Sequence, residues 1–154
     1  MKTDDVLRHE HRELLDSLES LAARSDSLGV DARRILVDFR PHMEKEEELV
    51  LPVLGVLGEL APFILGDDGK PVELTDTLSA KYRSLFEEHK GMLHSILKFR
   101  DSALKIGDQG AMELAENLMH HIELEESVLY PASLIALKYV ESFHPARGRK
   151  ALDA

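Results

Sequence analysis

Residues 42 to 52 read His-Met-Glu-Lys-Glu-Glu-Glu-Leu-Val-Leu-Pro, and residues 121 to 131 read His-Ile-Glu-Leu-Glu-Glu-Ser-Val-Leu-Tyr-Pro. Each copy sets a glutamate four residues after a histidine: His42 with Glu46, and His121 with Glu125. On an α-helix such positions stack on one face, so each copy aims an imidazole and a carboxylate at one point. Pairs of this kind hold metal ions inside helical bundles. Two lone histidines complete the pattern. Leu7, Glu10, His11, Leu15 and Ser17 recur 78 residues later as Leu85, Glu88, His89, Leu93 and Ser95, with Lys90 in place of Arg12. The His-Glu motif recurs at a spacing of 79. The chain is two related halves, each bringing one lone histidine and one histidine–glutamate pair.

The elements that position these residues follow from 3.6-residue periodicity. A first helix is expected from about Asp4, capped by Thr3 or Asp4, to about Arg24, with Leu7, His11, Leu14, Leu18 and Leu21 on one stripe. A linker from Ser25 to Val30 contains Gly29 and leads to Asp31 as the cap of a second helix. That helix carries Ile35, Phe39, His42, Glu46 and Leu49, and Pro41 should kink or loosen it just before His42. Residues 52 to 74 form an irregular excursion; Gly66-Asp67-Asp68-Gly69 marks a turn whose flanks could pair as a small hairpin. The third helix runs from Thr75 or Asp76 to Ile106 and ends at Gly107, with Leu78, Tyr82, Leu85, His89, Leu93 or Met92, and Ile96 inward. Asp108 caps the fourth, whose stripe is Leu114, Leu118, His121, Glu125 and Val128; Pro131 interrupts it, and Ala132 to Phe143 extend it. Residues 144 to 154 read as a loose tail. Neither hairpin can bury its apolar face alone, so the two should pack as a pseudo-twofold four-helix bundle, one all-α domain over residues 1–143.

Six polar groups, His11, His42, Glu46, His89, His121 and Glu125, thus lie on stripes that are otherwise apolar. An unpartnered buried carboxylate or imidazole costs several kcal/mol, against a total stability of about 5–15 kcal/mol. Something must neutralise them. A single histidine on such a stripe is more often a hydrogen-bonded core residue; the metal reading rests on the six together. Imidazole with carboxylate suits iron, manganese or zinc, not calcium or magnesium. Six ligands exceed one tetrahedral zinc and suit two ions, each with two histidines, bridged by the two carboxylates. Glu44, Glu47, Glu48, Glu123 and Glu126 read as a solvated face; Glu47 and Glu126 flank the site, where a supporting role behind the ligands is the weaker alternative. His9 and His120 fall off the stripes, and His144 lies in the tail.

Composition narrows the classes further. A net charge of −10 argues against nucleic acid as a partner. The absence of cysteine excludes thiolate metal sites and disulfides. The N-terminal residues carry no apolar signal region, and the apolar run Leu49 to Leu65 is broken by Pro52, Gly55, Gly58, Glu59 and Pro62. No membrane association is expected, and the cytoplasm is the expected compartment.

The histidine at the centre of Leu-Arg-His-Glu-His-Arg-Glu-Leu-Leu, the His89 of Phe-Glu-Glu-His-Lys and the two His-x-x-x-Glu-Glu…Pro segments resemble the hemerythrin-like, or HHE cation-binding, domain over roughly residues 4 to 131. The resemblance implies an up-down-up-down bundle around a non-haem di-iron centre, with two iron ions in preference to manganese or zinc. It makes His11, His42, His89 and His121 terminal ligands and Glu46 and Glu125 bridges. A small ligand such as oxygen, nitric oxide or peroxide is then the expected partner, for sensing, binding or detoxification. Oxygen-carrying hemerythrins place a fifth histidine one turn from the third-helix ligand; here Leu85 and Leu93 occupy those positions. His94 lies about 140° round the helix from His89. Glu88, Tyr82, Tyr130, His94 or water could complete the shell, or the site is symmetric and more open. Other functions compatible with the sequence are iron delivery to damaged iron–sulfur proteins, a peroxidase-like redox enzyme, and a metal-free helical interaction module. No feature designates a protein partner.

Overall fold

A computed structural model describes residues 3–55 and 76–143, and among them every regular element is helical. The expected turn at Gly66–Gly69 and the tail after residue 143 lie outside the described residues. The elements are α1 (Thr3–Ala22), α2 (Ser27–Leu49), a single short turn α3 (Leu51–Gly55), the long α4 (Asp76–Ile106), α5 (Gln109–Leu124), a π-helical turn (Glu125–Leu129) and α6 (Tyr130–Phe143). None of the described helices is long and apolar enough to cross a membrane.

The start of α2 differs from the sequence expectation. Its cap is Asp26, whose carboxylate accepts the Gly29 N–H at 3.1 Å, not Asp31. Gly29 is not a linker residue. It is buried in the first turn of α2, where a Cβ would stand 2.0 Å from the Arg24 carbonyl oxygen, so only glycine permits this approach. Asp31 instead accepts the Ser102 hydroxyl at 2.6 Å, tying α2 to α4. Pro41 sits exposed within α2, which continues through it. The other expected boundary holds. Gly107 takes φ 76°, and the Gly107 and Asp108 N–H groups both donate to Ala103 O, closing α4 before Asp108 caps α5 through the Ala111 N–H. One side chain joins the two caps: the Arg24 guanidinium lies 2.5 Å from both Asp26 and Asp108.

The long helices pack α1 on α2, α2 on α4, α4 on α5 and α5 on α1. Their stripes form two apolar clusters. One is built on Leu18, Leu28, Ile35, Phe39, Ile96, Phe99 and Leu118; the other on Leu7, Val50, Leu51, Leu54, Tyr82, Leu85 and Tyr130. On α4 it is Met92, not Leu93, that is fully buried. The polar residues singled out above fall between these clusters along every long helix.

The chain after Glu125 departs most from simple periodicity. Val128, expected inside, is 50% exposed, while Tyr130 is fully buried. The cause is the π-helical turn, in which the Tyr130 N–H bonds back five residues to Glu125 O. One extra residue per turn rotates all that follows, so Tyr130 replaces Val128 on the inner face. Pro131 does not end the helix. It is the second residue of α6, as Pro52 is of α3, a first-turn position where a missing N–H costs little.

Candidate metal centre

All six stripe residues are brought together, and each is at most 2% exposed. α1 delivers His11, α2 His42 and Glu46, α4 His89, α5 His121, and the first residue of the π turn Glu125. They form two pairs of histidines. The His11 and His121 rings stand edge to face with centroids 5.1 Å apart, and the His42 and His89 rings are 4.6 Å apart.

Each carboxylate divides its two oxygens between the pairs. Glu46 places Oε2 3.6 Å from His11 Nε2 and Oε1 3.5 Å from His42 Nε2. Glu125 places Oε1 2.8 Å from His121 Nε2 and 3.7 Å from His11 Nε2, with Oε2 3.2 Å from His89 Nε2. Two donor sets result, His11–Glu46–His121–Glu125 and His42–Glu46–His89–Glu125, each with its ligating atoms within 4.8 Å of one another. Two donors each about 2.1 Å from one ion stand about 3 Å apart at a right angle, so the histidine–carboxylate separations of 2.8–3.7 Å would suit ligands around a shared cation.

The hydrogen bonding fits a metal better than a self-satisfied core. His121 Nε2 and Glu125 Oε2 are buried without a hydrogen-bond partner, although a carboxylate oxygen lies 2.8 Å from the former. His42 Nε2 and His89 Nε2 face each other at 2.9 Å, a contact that needs a proton or a cation between the two nitrogens.

Every histidine is oriented from behind by a further carboxylate. Nδ1 of His11 meets Glu47 at 3.4 Å, His42 meets Glu88 at 3.1 Å, His89 meets Glu126 at 2.9 Å and His121 meets Glu10 at 3.2 Å. An ionised carboxylate only accepts, so Nδ1 carries the proton and Nε2 turns inward as a free ligand atom. The four contacts obey the internal repeat. Glu47 and Glu126 act within their own hairpins, whereas Glu10 and Glu88 reach across to the other. Glu47 and Glu126 are therefore half-buried parts of the site and not a solvated face, in contrast to the exposed Glu44, Glu48 and Glu123. The signal was present in the repeat, because Glu10 and Glu88 immediately precede the two lone histidines in both copies. Glu47→Gln and Glu126→Gln are each expected to weaken metal affinity about 10–100-fold with little change in helix content. Metal titration against a competing chelator, with circular dichroism alongside, checks this; unchanged affinity in both variants would remove these residues from the site.

Charges reinforce the picture. Burial lowers the His121 pKa, but Glu10 and Glu125 more than reverse it, to about 10. Burial likewise lowers that of His42, and Glu46 and Glu88 carry it above the ordinary value. The two central carboxylates separate: burial and the facing Glu125 push Glu46 up, while His11, His121 and His89 overcome burial to hold Glu125 well below the usual range. Without a cation the site stores its balance as protons.

Of the groups considered for completing the shell near His89, Tyr130 is in place. Its hydroxyl donates to Glu46, lies 3.1 Å from His89 Nε2, and its ring stacks on that imidazole at 5.5 Å and 16°. Tyr82 is turned to Ser133 at 2.6 Å, Glu88 sits behind His42, and His94 is exposed, as are His9 and His120. Beside the carboxylates a cavity of about 10 Å³ is lined by Leu7, His11, Val50, Leu51, Leu129 and Tyr130.

Among known families, the hemerythrin HHE cation binding domain matches residues 3–133. No curated protein and no solved structure matches the chain significantly. With buried histidines and carboxylates converging as a cation site requires, and a family match spanning nearly all of the helical chain, this protein belongs to the hemerythrin HHE cation-binding domain family.

Proposed function

We propose that the protein holds two iron ions between its long helices and uses them to handle a small ligand such as oxygen, nitric oxide or peroxide. His11 and His121 would hold one ion and His42 and His89 the other, with Glu46 and Glu125 belonging to both donor sets. The observation that carries this is the division of each carboxylate's oxygens between the two histidine pairs. Iron is favoured over manganese or zinc by the family; the mixed imidazole and carboxylate donors suit all three. Adjacent iron ions supply two-electron redox capacity and an exchangeable coordination position when bound. The protein residues fix where that position opens. Leu7, Val50, Leu51 and Leu129 wall the small cavity with apolar surface, and its volume admits about one water-sized molecule. That leaves no room for an organic substrate beside the carboxylates.

The architecture proposed is up-down-up-down. Arg8 pairs with Glu47 and Glu19 with Arg40, so α1 and α2 run in opposite senses. The order of Asp31–Ser102 and His42–Glu88 supports the same for α2 and α4, and that of Arg24–Asp108 and Glu10–His121 for α1 and α5.

Anaerobic reconstitution with ferrous iron, desalting and elemental analysis test the proposal. Two iron ions per chain, and after oxidation the near-ultraviolet bands of an oxo-bridged diferric pair, are expected. Iron content far below two per chain, or its retention in a His42→Ala/His121→Ala double variant, would overturn it.

A further inference from the structure

We propose that Tyr130 is a fifth protein ligand to the ion held by His42 and His89, so that the two metal positions differ and the exchangeable one lies on the His11–His121 side. This rests on the paired-metal function proposed above. Four observations converge on it. The Tyr130 hydroxyl is within bonding distance of Glu46 and 3.1 Å from His89 Nε2, two atoms of one donor set. Its ring cannot swing away, being stacked on His89 and met edge-on by Phe86 at 5.2 Å and Tyr82 at 5.8 Å. The π-helical turn, a rare feature frequent at functional sites, is what rotates this residue inward.

The internal repeat supplies the fourth. The counterpart of Tyr130, 79 residues earlier, is Leu51. Both are buried, and both border the small cavity next to His11. Thus the two halves agree at all six histidine and glutamate positions and diverge where a fifth donor would stand. On one side there is a phenol; on the other there is apolar space and nothing to coordinate. Ligation forms one bond from Oη to the metal and breaks the O–H bond, with the proton leaving to solvent. A cation between these donors would take the place of that proton on Oη.

The test is optical. Iron-loaded, oxidised wild-type protein should show a phenolate-to-ferric charge-transfer band in the visible, with resonance-enhanced tyrosine ring modes that shift when the protein is grown on ring-deuterated tyrosine. Tyr130→Phe should abolish both, while Tyr82→Phe, whose hydroxyl is engaged by Ser133, should keep them. Because the isotope shift is read in wild-type protein, a variant that fails to fold does not remove the test. Two iron ions per chain without tyrosine modes, or a band surviving in Tyr130→Phe, would overturn the tyrosine ligand and leave the metal pair standing. Tyrosine modes with a single iron ion would uphold the ligand and overturn the pair. A chain that takes up no iron overturns both.

Discussion

The Glu125→Ala protein is expected to lose metal from both positions at once and to show no rise in melting temperature when metal is added. Glu125 gives one oxygen to each histidine pair, so its removal takes a donor from each ion. The affinity loss should exceed the about 10–100-fold that an outer partner costs. In the wild type, metal at a hundred times its dissociation constant adds about 2.7 kcal/mol per site, and this increment should vanish in the variant. The metal-free variant should also be less stable than metal-free wild type, by about 3–5 kcal/mol, because the protonated His121 then lacks its nearest counter-charge. Glu123→Ala, at an exposed position two residues earlier, should lie within about 0.5 kcal/mol of wild type. Paired thermal melts with and without metal decide the matter; a Glu125→Ala protein that still gains stability from metal would refute the bridging role.

The same melts have a pH signature. In the metal-free protein the His121 pKa stands at about 10, above its unfolded value of about 6.5. That contribution is complete below about pH 6.5 and is lost as pH rises towards 10. Glu125, held low, contributes above its unfolded pKa and loses that contribution only in acid. Metal binding requires the histidines without their inner protons and so strengthens with pH. The gap between metal-loaded and metal-free melting temperatures should therefore widen from pH 6 to pH 9.

Gly29→Ala should have the other large effect, opposite in sign to the usual one. Within a helix, alanine ordinarily gains about 1 kcal/mol over glycine. Here its methyl would lie 2.0 Å from the Arg24 carbonyl, a backbone atom that cannot rotate away. Either the first turn of α2 unwinds, losing the Asp26 cap, or Arg24 shifts and releases Asp26 and Asp108. A loss of about 3 kcal/mol, the upper end for overpacking, is expected in urea unfolding, with metal stoichiometry retained in the folded fraction. A neutral or stabilising outcome would mean that α1 and α2 meet less closely than described.

What the sequence made legible, and what it hid, follows one division. The six central residues could be read because repetition states them twice and because helical periodicity places them among Leu, Ile and Phe. Cap positions with an unambiguous breaker, such as Gly107 before Asp108, could be read too. Asp26 was hidden because Gly29 looks like a breaker until its neighbour across the turn is known. Tyr130 was hidden as a core residue by the π turn, which no 3.6-residue pattern registers, and Val128 was placed inside for the same reason. The outer carboxylates were legible only in part, Glu47 and Glu126 as flanking the site, because a glutamate beside the stripe is indistinguishable by period from one in water; only the helix opposite decides which it is.

The alternation of those outer carboxylates has a kinetic meaning. His11 and His89 are steadied from within their own hairpins, His42 and His121 from the opposite one. The six central residues sit on the long helices or on the π turn that follows α5. Among the described residues, no local flap would let an ion held there go. Release requires one hairpin to part from the other, and that same parting frees both cross-hairpin histidines to swing. For the proposed metal pair, exchange and the breathing of the bundle would be one motion, and the lifetime of the ions would be set by how seldom the two halves of the molecule come undone.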